Sequence, residues 1–484
     1  MHYLHVLFDQ LPISSKEIDH TLTITGISDN SLRTQPGDLF VAVPGFTSDG
    51  HDYINNAIDK GAKAIVGERD LSGLPVPYFK TTNARYVLAH LAARFYIREG
   101  QKQTIVGITG TNGKTTTSFM LKHILEHAGF SCALFGSVQT VINGIVTPSH
   151  TNTTLGALDL HQHLAKSNDD FAIMEVSSHA LTQYRVAGIK FDLALFTNLS
   201  QDHLDYHQTM DHYFAAKKTL FTQLDENGTA ILNAYDWWGH QLLTDHSNSW
   251  RGRTVSIGEA GSDLQIENIT FGEPMSAVFR EKEGTSLLKL PFYGDHNVFN
   301  AAMAYLSAKS LGIKGTFALN ALHTFAGVPG RFEVIQNPAG AHIVIDYAHT
   351  EDAFYHCLHT AKRLGAKQVI HVFGFRGGRD ESKRERMVEI SKEWSDYIIL
   401  TFDDLDGTPA EKMAQTLQSF SLGNQGKVIL DRVEAIDYAW HMAEKDDWVF
   451  ITGKGNEPYQ QEYSSPAISD RDTLNSLLAE DTPH

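Results

Sequence analysis

Residues 104–117 read TIVGITGTNGKTTT, and this stretch indicates how the centre of the chain folds. An apolar run over 104–109 predicts a strand, and a helical pattern over 118–127 follows the glycine-rich turn. Strand, glycine-rich loop and helix in this order are typical of a phosphate-binding loop. The generic pattern places glycine where this chain has Ile108. A glycine-rich turn that binds no ligand is the alternative, although Lys-Thr-Thr directly after glycine has little structural purpose there.

The residues of this loop suit the oxygens of a bound triphosphate. Gly110 and Gly113 let backbone N–H groups approach phosphate, and the start of the following helix adds its positive dipole. Lys114 can bridge the β- and γ-phosphates, and the Thr115 hydroxyl can bind Mg²⁺. The predicted phosphate contacts are Gly110, Thr111, Asn112, Gly113, Lys114, Thr115 and Thr116. We therefore expect the chain to use ATP and Mg²⁺.

The length and amino-acid composition of the chain limit which kinds of molecule it is expected to bind. The chain has 484 residues, which corresponds to about three domains of ordinary size. Lys and Arg number 40 against 57 Asp and Glu, so the formal charge of −17 argues against a nucleic-acid or anionic-membrane partner. We see no signal-peptide pattern and no apolar run of the ~20 residues that span a bilayer. Cys132 and Cys357 are too few for a disulfide framework, so we expect a cytoplasmic protein.

Three blocks are predicted along the chain, with limits at 1–100, 101–328 and 329–484. Gly and Pro punctuate short runs in the first block, and the second combines buried strands with amphipathic helices. After Val328-Pro329-Gly330, a plausible hinge, strands and helices alternate, which predicts a parallel sheet covered on both faces. The expected fold class is α/β in three domains: an α/β N-terminal domain, a central ATPase-like domain with a phosphate loop and a mostly parallel sheet, and a Rossmann-like C-terminal domain.

Three further residues lie where charged chemistry is expected. Glu175 ends the apolar run 171–176, and a carboxylate at that end of a strand beside a phosphate loop is a reasonable Mg²⁺ ligand; a surface glutamate is the alternative. His203 lies in the cluster DHLDYH, 202–207. By itself this cluster indicates a solvated loop or a transition-metal site, because histidine is an unusual ligand for Mg²⁺. Lys217, taken alone, is a solvated helix lysine.

The amino-acid sequence of the loop and of six other segments resembles the motifs of the Mur ligase family. Its members are ATP-dependent enzymes that form amide bonds in peptidoglycan synthesis. The segments are TGTNGKTT (109–116), IMEVSSHAL (173–181), TNLSQDHLDYH (197–207), YFAAKKTLF (213–221), YGDHNVFNAAMA (293–304), PGRFE (329–333) and DYAHTEDA (346–353). The resemblance covers essentially the whole chain and favours the members that add the third peptide residue to UDP-MurNAc-L-Ala-D-Glu. It implies a uridine-binding first domain, an ATP-binding second and an amino-acid-binding third.

The resemblance also implies residue roles. Thr115 and Glu175 would hold one Mg²⁺, while His203 and a carbamylated Lys217 would hold a second. Further ATP contacts implied by the family are Asn297, Asn300, Arg331 and Asp346. The segment 28–51 resembles the family's uridine signature, with contacts at Asn30, Ser31, Arg33, Phe46 and Thr47; a hairpin turning at Pro36-Gly37 is the plainer interpretation. The implied contacts to the nucleotide-sugar peptide are Thr153, Thr154, Ser177, His179 and Arg185.

One loop departs from the family pattern. Members that add diaminopimelate typically read Asp-Asn-Pro-Arg there, and the arginine pairs with the distal carboxylate; this chain reads Asp403-Asp404-Leu405-Asp406. An aspartate would repel that carboxylate by roughly a kcal/mol or more. We therefore expect a basic amino acid such as lysine or ornithine, unless Asp406 turns to solvent and the loop is reshaped. The predicted amino-acid contacts are Arg379, which would hold the α-carboxylate, and Asp403, Asp404, Asp406, Gly453 and Glu457.

Two other functions stay open at this stage. The altered loop also suits a paralogous ligase that joins a different amine to a non-peptidoglycan carboxylate, although the uridine-like signature argues against it. A non-catalytic protein that keeps the fold is the second, and the retained Lys114, Glu175 and Lys217 argue against it. We expect a monomer that binds small-molecule substrates.

Overall fold

The computed structural model describes residues 2–14, 19–45, 48–96, 103–148, 153–245, 250–272 and 274–481. The strands among them form five sheets, of which the three largest have eight, six and five strands. Each of these three sheets is the centre of one α/β unit, which confirms the predicted fold class. Among the described residues, we find no helix long and apolar enough to cross a membrane.

The N-terminal unit is built on the five-stranded sheet, in the order β2-β7-β6-β5-β4. Its strands are β1 (His2–Tyr3), β2 (Ile13–Ser14), β3 (Thr23–Ile24), β4 (Gly26–Ser28), β5 (Asp38–Val41), β6 (Ala64–Gly67) and β7 (Tyr78–Thr81), and its helices are α1 (Leu4–Phe8), α2 (Ile54–Asp59) and α3 (Ala84–Tyr96), with a 3-10 turn at Gly50–Tyr53. Strands β4 and β5 pair in parallel, so the hairpin interpretation of Pro36-Gly37 is wrong. A crossover joins these strands instead, and Gly37 takes φ 92° within it.

The central unit carries the phosphate loop on β8, at the middle of an eight-stranded sheet. Its strands are β8 (Thr104–Thr109), β9 (Cys132–Phe135), β10 (Gln139–Ile142), β11 (Ile145–Pro148), β12 (Phe171–Glu175), β13 (Phe191–Phe196), β14 (Leu224–Asn233), β15 (Arg253–Ile257), β16 (Gln265–Thr270), β17 (Met275–Glu281) and β18 (Gly284–Leu290). Its helices are α4 (Lys114–His127), α5 (Ala157–Lys166), α6 (Ser178–Thr182), α7 (Leu204–His207), α8 (Met210–Lys218), α9 (Trp237–Thr244), α10 (Asp295–Ser310) and α11 (Gly315–His323), with a 3-10 turn at Thr219–Gln223.

Strand β8 pairs in parallel with β12 on one side and β13 on the other. Every residue of β12 is buried, as expected of a parallel strand with helices on both faces. Because parallel strands end at one edge, the phosphate loop after β8, Glu175 at the end of β12 and the segment after β13 meet at that edge. The antiparallel sheet β16-β17-β18 packs on α10 and α11 in the same core.

The C-terminal unit is a six-stranded sheet in the order β19-β20-β24-β21-β22-β23. Its strands are β19 (Glu333–Gln336), β20 (His342–Asp346), β21 (Val369–Phe373), β22 (Tyr397–Leu400), β23 (Gly426–Val428) and β24 (Trp448–Thr452), and its helices are α12 (Glu351–Arg363), α13 (Arg384–Trp394), α14 (Ala410–Ser419), α15 (Arg432–Met442) and α16 (Asp470–Asp481), with a 3-10 turn at Gly423–Gln425. The sheet is parallel except at its edge, where β19 pairs antiparallel with β20. The sequence did not predict β19 or α16. The domain limits at 100 and 328 stay a proposal.

Candidate active site

A cleft of 1210 Å³ lies between the central and C-terminal units. Its walls include the phosphate loop, the ends of β12 and β13, and the start of α12. A smaller cavity, lined by Arg379, Asp403 and Gly453 among others, adjoins it at Asp202 and His203. Two reactants held on different units can therefore meet across this cleft.

The phosphate loop is held open by glycine conformations and by its neighbours. Gly110 and Gly113 take φ 145° and 84°, which side chains other than glycine adopt at a cost. A Cβ atom on Gly113 would lie 2.3 Å from Asn300 Oδ1. The Lys114 ammonium turns back on the loop and donates to the carbonyls of Gly110 (2.8 Å) and Thr111 (2.9 Å). Burial lowers its pKa, and the Glu175 carboxylate partly offsets this.

Glu175 is positioned beside Thr115 by hydrogen bonds. Its Oε2 accepts from the Thr115 hydroxyl at 2.9 Å, and its Oε1 accepts from the Ser137 N–H at 3.0 Å. The side chain is 1% exposed. A carboxylate and a hydroxyl so close together offer the oxygen ligands that Mg²⁺ prefers. Ser137, whose hydroxyl also donates to Oε2, was not predicted, because no pattern in the sequence marks it.

Lys217 and His203 lie on the other side of the loop. The Lys217 ammonium is buried and donates to the Gly110 carbonyl at 2.8 Å, the same oxygen that Lys114 contacts. Burial, and then the neighbouring Lys114, hold the pKa of Lys217 well below its usual value. Burial also lowers the pKa of His203 to about 3, so its imidazole is neutral and can donate a lone pair. The structure thus excludes the interpretation of Lys217 as a solvated helix lysine.

The residues expected at adenine and at the hinge are also placed at the cleft. Asn297 and Asn300 are buried on α10, and Asn300 Nδ2 donates to Asn297 Oδ1 at 3.2 Å. Arg331 crosses the hinge to within 3.4 Å of the Thr115 hydroxyl and stacks on the Tyr347 ring. The Asp346 carboxylate accepts backbone N–H groups from residues 332 and 348, so in this structure it holds the hinge segments together.

The predicted contacts to the nucleotide-sugar peptide surround the end of β12. Thr154 donates to the Glu175 carbonyl at 2.9 Å, and Ser177 caps α6 by accepting from the Ala180 N–H. Arg185 donates to the Thr154 carbonyl at 2.8 Å. Four of the five line the cleft: Thr153, Ser177, His179 and Arg185. Burial lowers the pKa of His179 to about 4, so this ring too is neutral at pH 7.

Among the predicted first-domain contacts, Asn30, Ser31 and Arg33 do not line this cleft. Asn30 Oδ1 accepts from the Leu32 N–H at 2.9 Å, which fixes the turn, and Ser31 is buried. The Arg33 side chain is 71% exposed and lies 3.4 Å from Asp159 of the central unit. Phe46 and Thr47 lie outside the described residues. Arg33 is therefore an exposed cation that pairs with Asp159 at the junction of the two units.

Two basic residues that the sequence did not single out balance part of the negative charge of the acidic loop. Arg376 pairs with Asp404 (3.1 Å) and with Glu457, and its Nε lies 4.0 Å from Asp406. The buried Lys454 donates to Asp404 at 2.5 Å. These two cations weaken the repulsion that the sequence predicts between Asp406 and a distal carboxylate. Arg376 stands close to Arg379 in GFRGGRD, and Lys454 in GKGNE, but their side-chain directions could not be read from the sequence.

An α/β fold of three units, with a phosphate loop facing an arginine-lined pocket across a hinge, defines an ATP-using ligase of the kind that activates a carboxylate. Family comparison agrees: residues 23–96 match the model "Mur ligase family, catalytic domain", 108–308 the "Mur ligase middle domain", and 330–455 the "Mur ligase, glutamate ligase domain". The chain belongs to the Mur ligase family, ATP-dependent ligases of peptidoglycan synthesis.

Comparison with individual proteins shows which members of the family this chain is similar to. The chain is 38% identical over 448 residues to UDP-N-acetylmuramoyl-L-alanyl-D-glutamate–2,6-diaminopimelate ligase of Syntrophomonas wolfei, covering 90% of this chain and 91% of that one. The Bacillus cereus enzyme of the same name is 36% identical over 476 residues, covering 95% and 94%. A solved structure of a ligase with that name superposes with a TM-score of 0.70 at 27% identity over 99% of both chains. A MurF ligase from Thermotoga maritima in complex with ADP superposes at 0.67 and 21% identity, covering 96% of this chain and 99% of that one, which shows the shared fold.

Proposed function

We propose that this chain joins a diamino acid to UDP-MurNAc-L-Ala-D-Glu at the expense of ATP. One observation carries the proposal: Lys114, Lys217 and Glu175 converge on the phosphate loop, and this loop faces Arg379 across the cleft. The relatives named above act on the same nucleotide dipeptide by their names.

The reaction needs two displacements. A carboxylate of the dipeptide attacks the γ-phosphorus of ATP, forming an acyl phosphate and releasing ADP. The amine of the incoming amino acid then attacks the acyl carbon, the C–O bond to phosphate breaks, and inorganic phosphate leaves with a proton lost from nitrogen. Lys114 and the loop N–H groups hold the phosphate charge, and the two halves of the cleft hold the reactants in line.

The residues present offer one Mg²⁺ site as they stand and a second one if Lys217 is modified. Thr115 and Glu175 offer one oxygen site. His203 and Lys217 offer a second only if the lysine becomes an anionic oxygen ligand, as a carbamate is. The lowered pKa of Lys217 supports this, since only a neutral amine reacts with CO₂. When bound, Mg²⁺ supplies charge neutralisation between the carboxylate and the triphosphate.

The choice of amino acid depends on Arg376. Lysine, ornithine and diaminopimelate share a second amino group, for which Asp403, Asp404 and Glu457 supply negative charge. The sequence favours lysine or ornithine because Asp406 would repel a distal carboxylate. With Asp404 and Glu457 already paired to Arg376, that repulsion is reduced, and an arginine does lie beside Asp406. We therefore keep lysine, ornithine and diaminopimelate in the proposed class of diamino acids.

The deciding experiment is an amino-acid panel. Phosphate release is followed with ATP, Mg²⁺, UDP-MurNAc-L-Ala-D-Glu and, in turn, lysine, ornithine, meso-diaminopimelate and alanine. Release with one or more diamino acids and none with alanine is the expected result. Release with none of them would refute the proposal, and a lack of dipeptide binding by calorimetry would favour the paralogous ligase instead.

The variant Arg376→Gln tests whether this arginine sets the preference between diaminopimelate and lysine. Removing the guanidinium leaves Asp404 and Glu457 with less positive charge, so we expect the KM for diaminopimelate to rise at least ~10-fold relative to that for lysine, about 1.4 kcal/mol. Arg386→Gln, an exposed arginine on α13, is the matched control and should leave the ratio unchanged. An unchanged ratio in Arg376→Gln would remove Arg376 from the specificity pocket. The monomeric state and the cytoplasmic location stay predictions.

A further inference from the structure

Two aspartates and two histidines meet where the central and C-terminal units touch. Asp295 and His296 begin α10, while Asp352 and His356 lie one turn apart on α12. One ligand atom each from Asp295, His296 and His356 lies within 4.8 Å of the others. The nucleotide chemistry proposed above does not use these three side chains.

The geometry within this cluster is close to that of a metal site. His356 Nδ1 lies 3.1 Å and His296 Nδ1 3.9 Å from Asp295 Oδ1. Ligands around a tetrahedral Zn²⁺ are about 3.3 Å apart, given metal–ligand bonds of about 2.0–2.1 Å. The ligand atoms lie up to 4.8 Å apart, so closing the site around a metal ion requires movements of up to about 1.5 Å.

Two further observations point to a ligand. The Nδ1 atom of His296 is buried and has no hydrogen-bond partner among the described residues. The far nitrogen of His356, Nε2, faces the Asp352 carboxylate at 3.4 Å. An outer carboxylate on the second ring nitrogen is the usual support of a metal-bound histidine, because it fixes the tautomer and ring orientation. Asp352 is itself held by Asn112 of the phosphate loop at 3.1 Å.

We propose that Asp295, His296 and His356 form a binding site for a divalent transition metal of the Zn²⁺ class, bridging the central and C-terminal units. Two imidazole nitrogens and one carboxylate suit Zn²⁺ and exclude a preference for Mg²⁺, which binds oxygen. The carboxylates of Asp295 and Asp352 raise the pKa of His356 to about 10, so a divalent ion would take the place of the proton that this ring carries between them. A fourth coordination position is left for water from the cleft.

A metal bound at this site would hold the central and C-terminal units together. Its ligands come from α10 on one unit and α12 on the other, so a bound metal stabilises the arrangement in which the units touch. Since ligases of this kind must open to release product, occupancy is expected to slow turnover. Metal supply would thereby regulate the enzyme at a place distinct from its Mg²⁺ site.

Binding is tested on the full chain without nucleotide, so that the result is independent of the ligase reaction. Zn²⁺ is titrated by isothermal calorimetry, and Co²⁺ by the visible absorption of a four-coordinate ion, both with Mg²⁺ in excess. We expect one site that Mg²⁺ does not displace. His356→Gln and His296→Gln should each lose it, and Asp352→Asn should weaken it roughly 10–100-fold.

His359→Gln is the matched control, because His359 lies on the same helix and stacks on Tyr355 outside the cluster. It should bind as the wild type does. If His356→Gln does not fold by circular dichroism, His296→Gln decides the question. Equal Zn²⁺ stoichiometry and affinity in the wild type and in a folded His296→Gln would overturn the proposal and leave an ordinary histidine–carboxylate ion-pair cluster.

Discussion

At the scale of single residues, Lys114 is a cation of the phosphate loop itself, where the triphosphate is proposed to bind. Lys114→Ala removes that charge, so we expect kcat to fall on the order of 10³-fold, as with other groups that stabilise transferring phosphate. Phosphate release under saturating substrates measures it. Lys122→Ala, eight residues on in α4 and paired with Glu126, is the control and should stay within twofold of wild type. A Lys114→Ala protein with unchanged kcat would contradict the catalytic assignment.

The burial of His371 predicts that the free energy of unfolding depends on pH. His371 is fully buried between the Ser391 and Thr452 hydroxyls, and burial lowers its pKa to about 3. The unfolded chain takes up its proton near pH 6.5, the folded one near 3, so stability falls as pH drops through this window. From pH 7 to pH 5 the loss is about 2 kcal/mol, at 1.36 kcal/mol per pH unit below 6.5.

His371→Gln should reduce this pH slope, whatever its effect on absolute stability. Urea unfolding of the C-terminal unit at pH 7 and pH 5, followed by tryptophan fluorescence from Trp440 and Trp448, measures it. His441→Gln, an exposed histidine on α15, is the control. An identical slope in His371→Gln and wild type would show that another group causes the pH dependence.

At the scale of elements, the phosphate loop depends on its packing against α10. Gly113→Ala must accommodate both φ 84° and a Cβ 2.3 Å from Asn300 Oδ1, so the loop or the helix must move. We expect ATP affinity to fall at least ~10-fold, about 1.4 kcal/mol.

Gly129→Ala provides a matched comparison for this loop. Gly129 has nearly the same φ, 89°, but open space at its Cβ position. It should lose about 1 kcal/mol of stability and keep its ATP affinity. Calorimetric titration with ATP compares the two variants, and equal affinities in both would show that the contact with Asn300 has no role in nucleotide binding.

Local sequence accounts for most individual elements. Helix α12 covers Glu351–Arg363 because Thr350 caps its start, acidic residues lie in its first turn and basic residues lie in its last turn, as the helix dipole favours. Strand β19 was missed. Its residues are half-exposed and it exists only through pairing with β20, which no local pattern reports.

At the scale of the whole molecule, buried charge joins the two halves of the cleft. Lys383 donates to Asp202 of the central unit at 3.1 Å and to the His349 carbonyl at 3.0 Å. Lys383→Met leaves Asp202 with less compensation, so we expect the units to separate more readily and kcat to fall ~10-fold or more while ATP affinity changes little. Small-angle scattering should report a larger radius of gyration.

Lys392→Met is the control for this interface, because Lys392 lies on α13, the helix that Lys383 precedes, and donates to the Ser421 carbonyl within its own unit. It should change neither the scattering curve nor kcat. Should Lys383→Met match it in both measurements, the contact between Lys383 and Asp202 has no part in holding the cleft closed.

The sequence by itself determined the α/β class, the position of the phosphate loop and the membership of Glu175 in the site, because strand ends and glycine-rich turns are local patterns that chain order carries. Only the tertiary structure decided two features: the charge balance of the amino-acid pocket and the burial of Lys217 against the phosphate loop. Both depend on which side chains approach from distant segments: Arg376 and Lys454 reach Asp404 across the C-terminal sheet, and Lys217 reaches Gly110 from α8. The interaction between two charges depends on their distance in space, and the number of residues between them in the sequence does not give that distance.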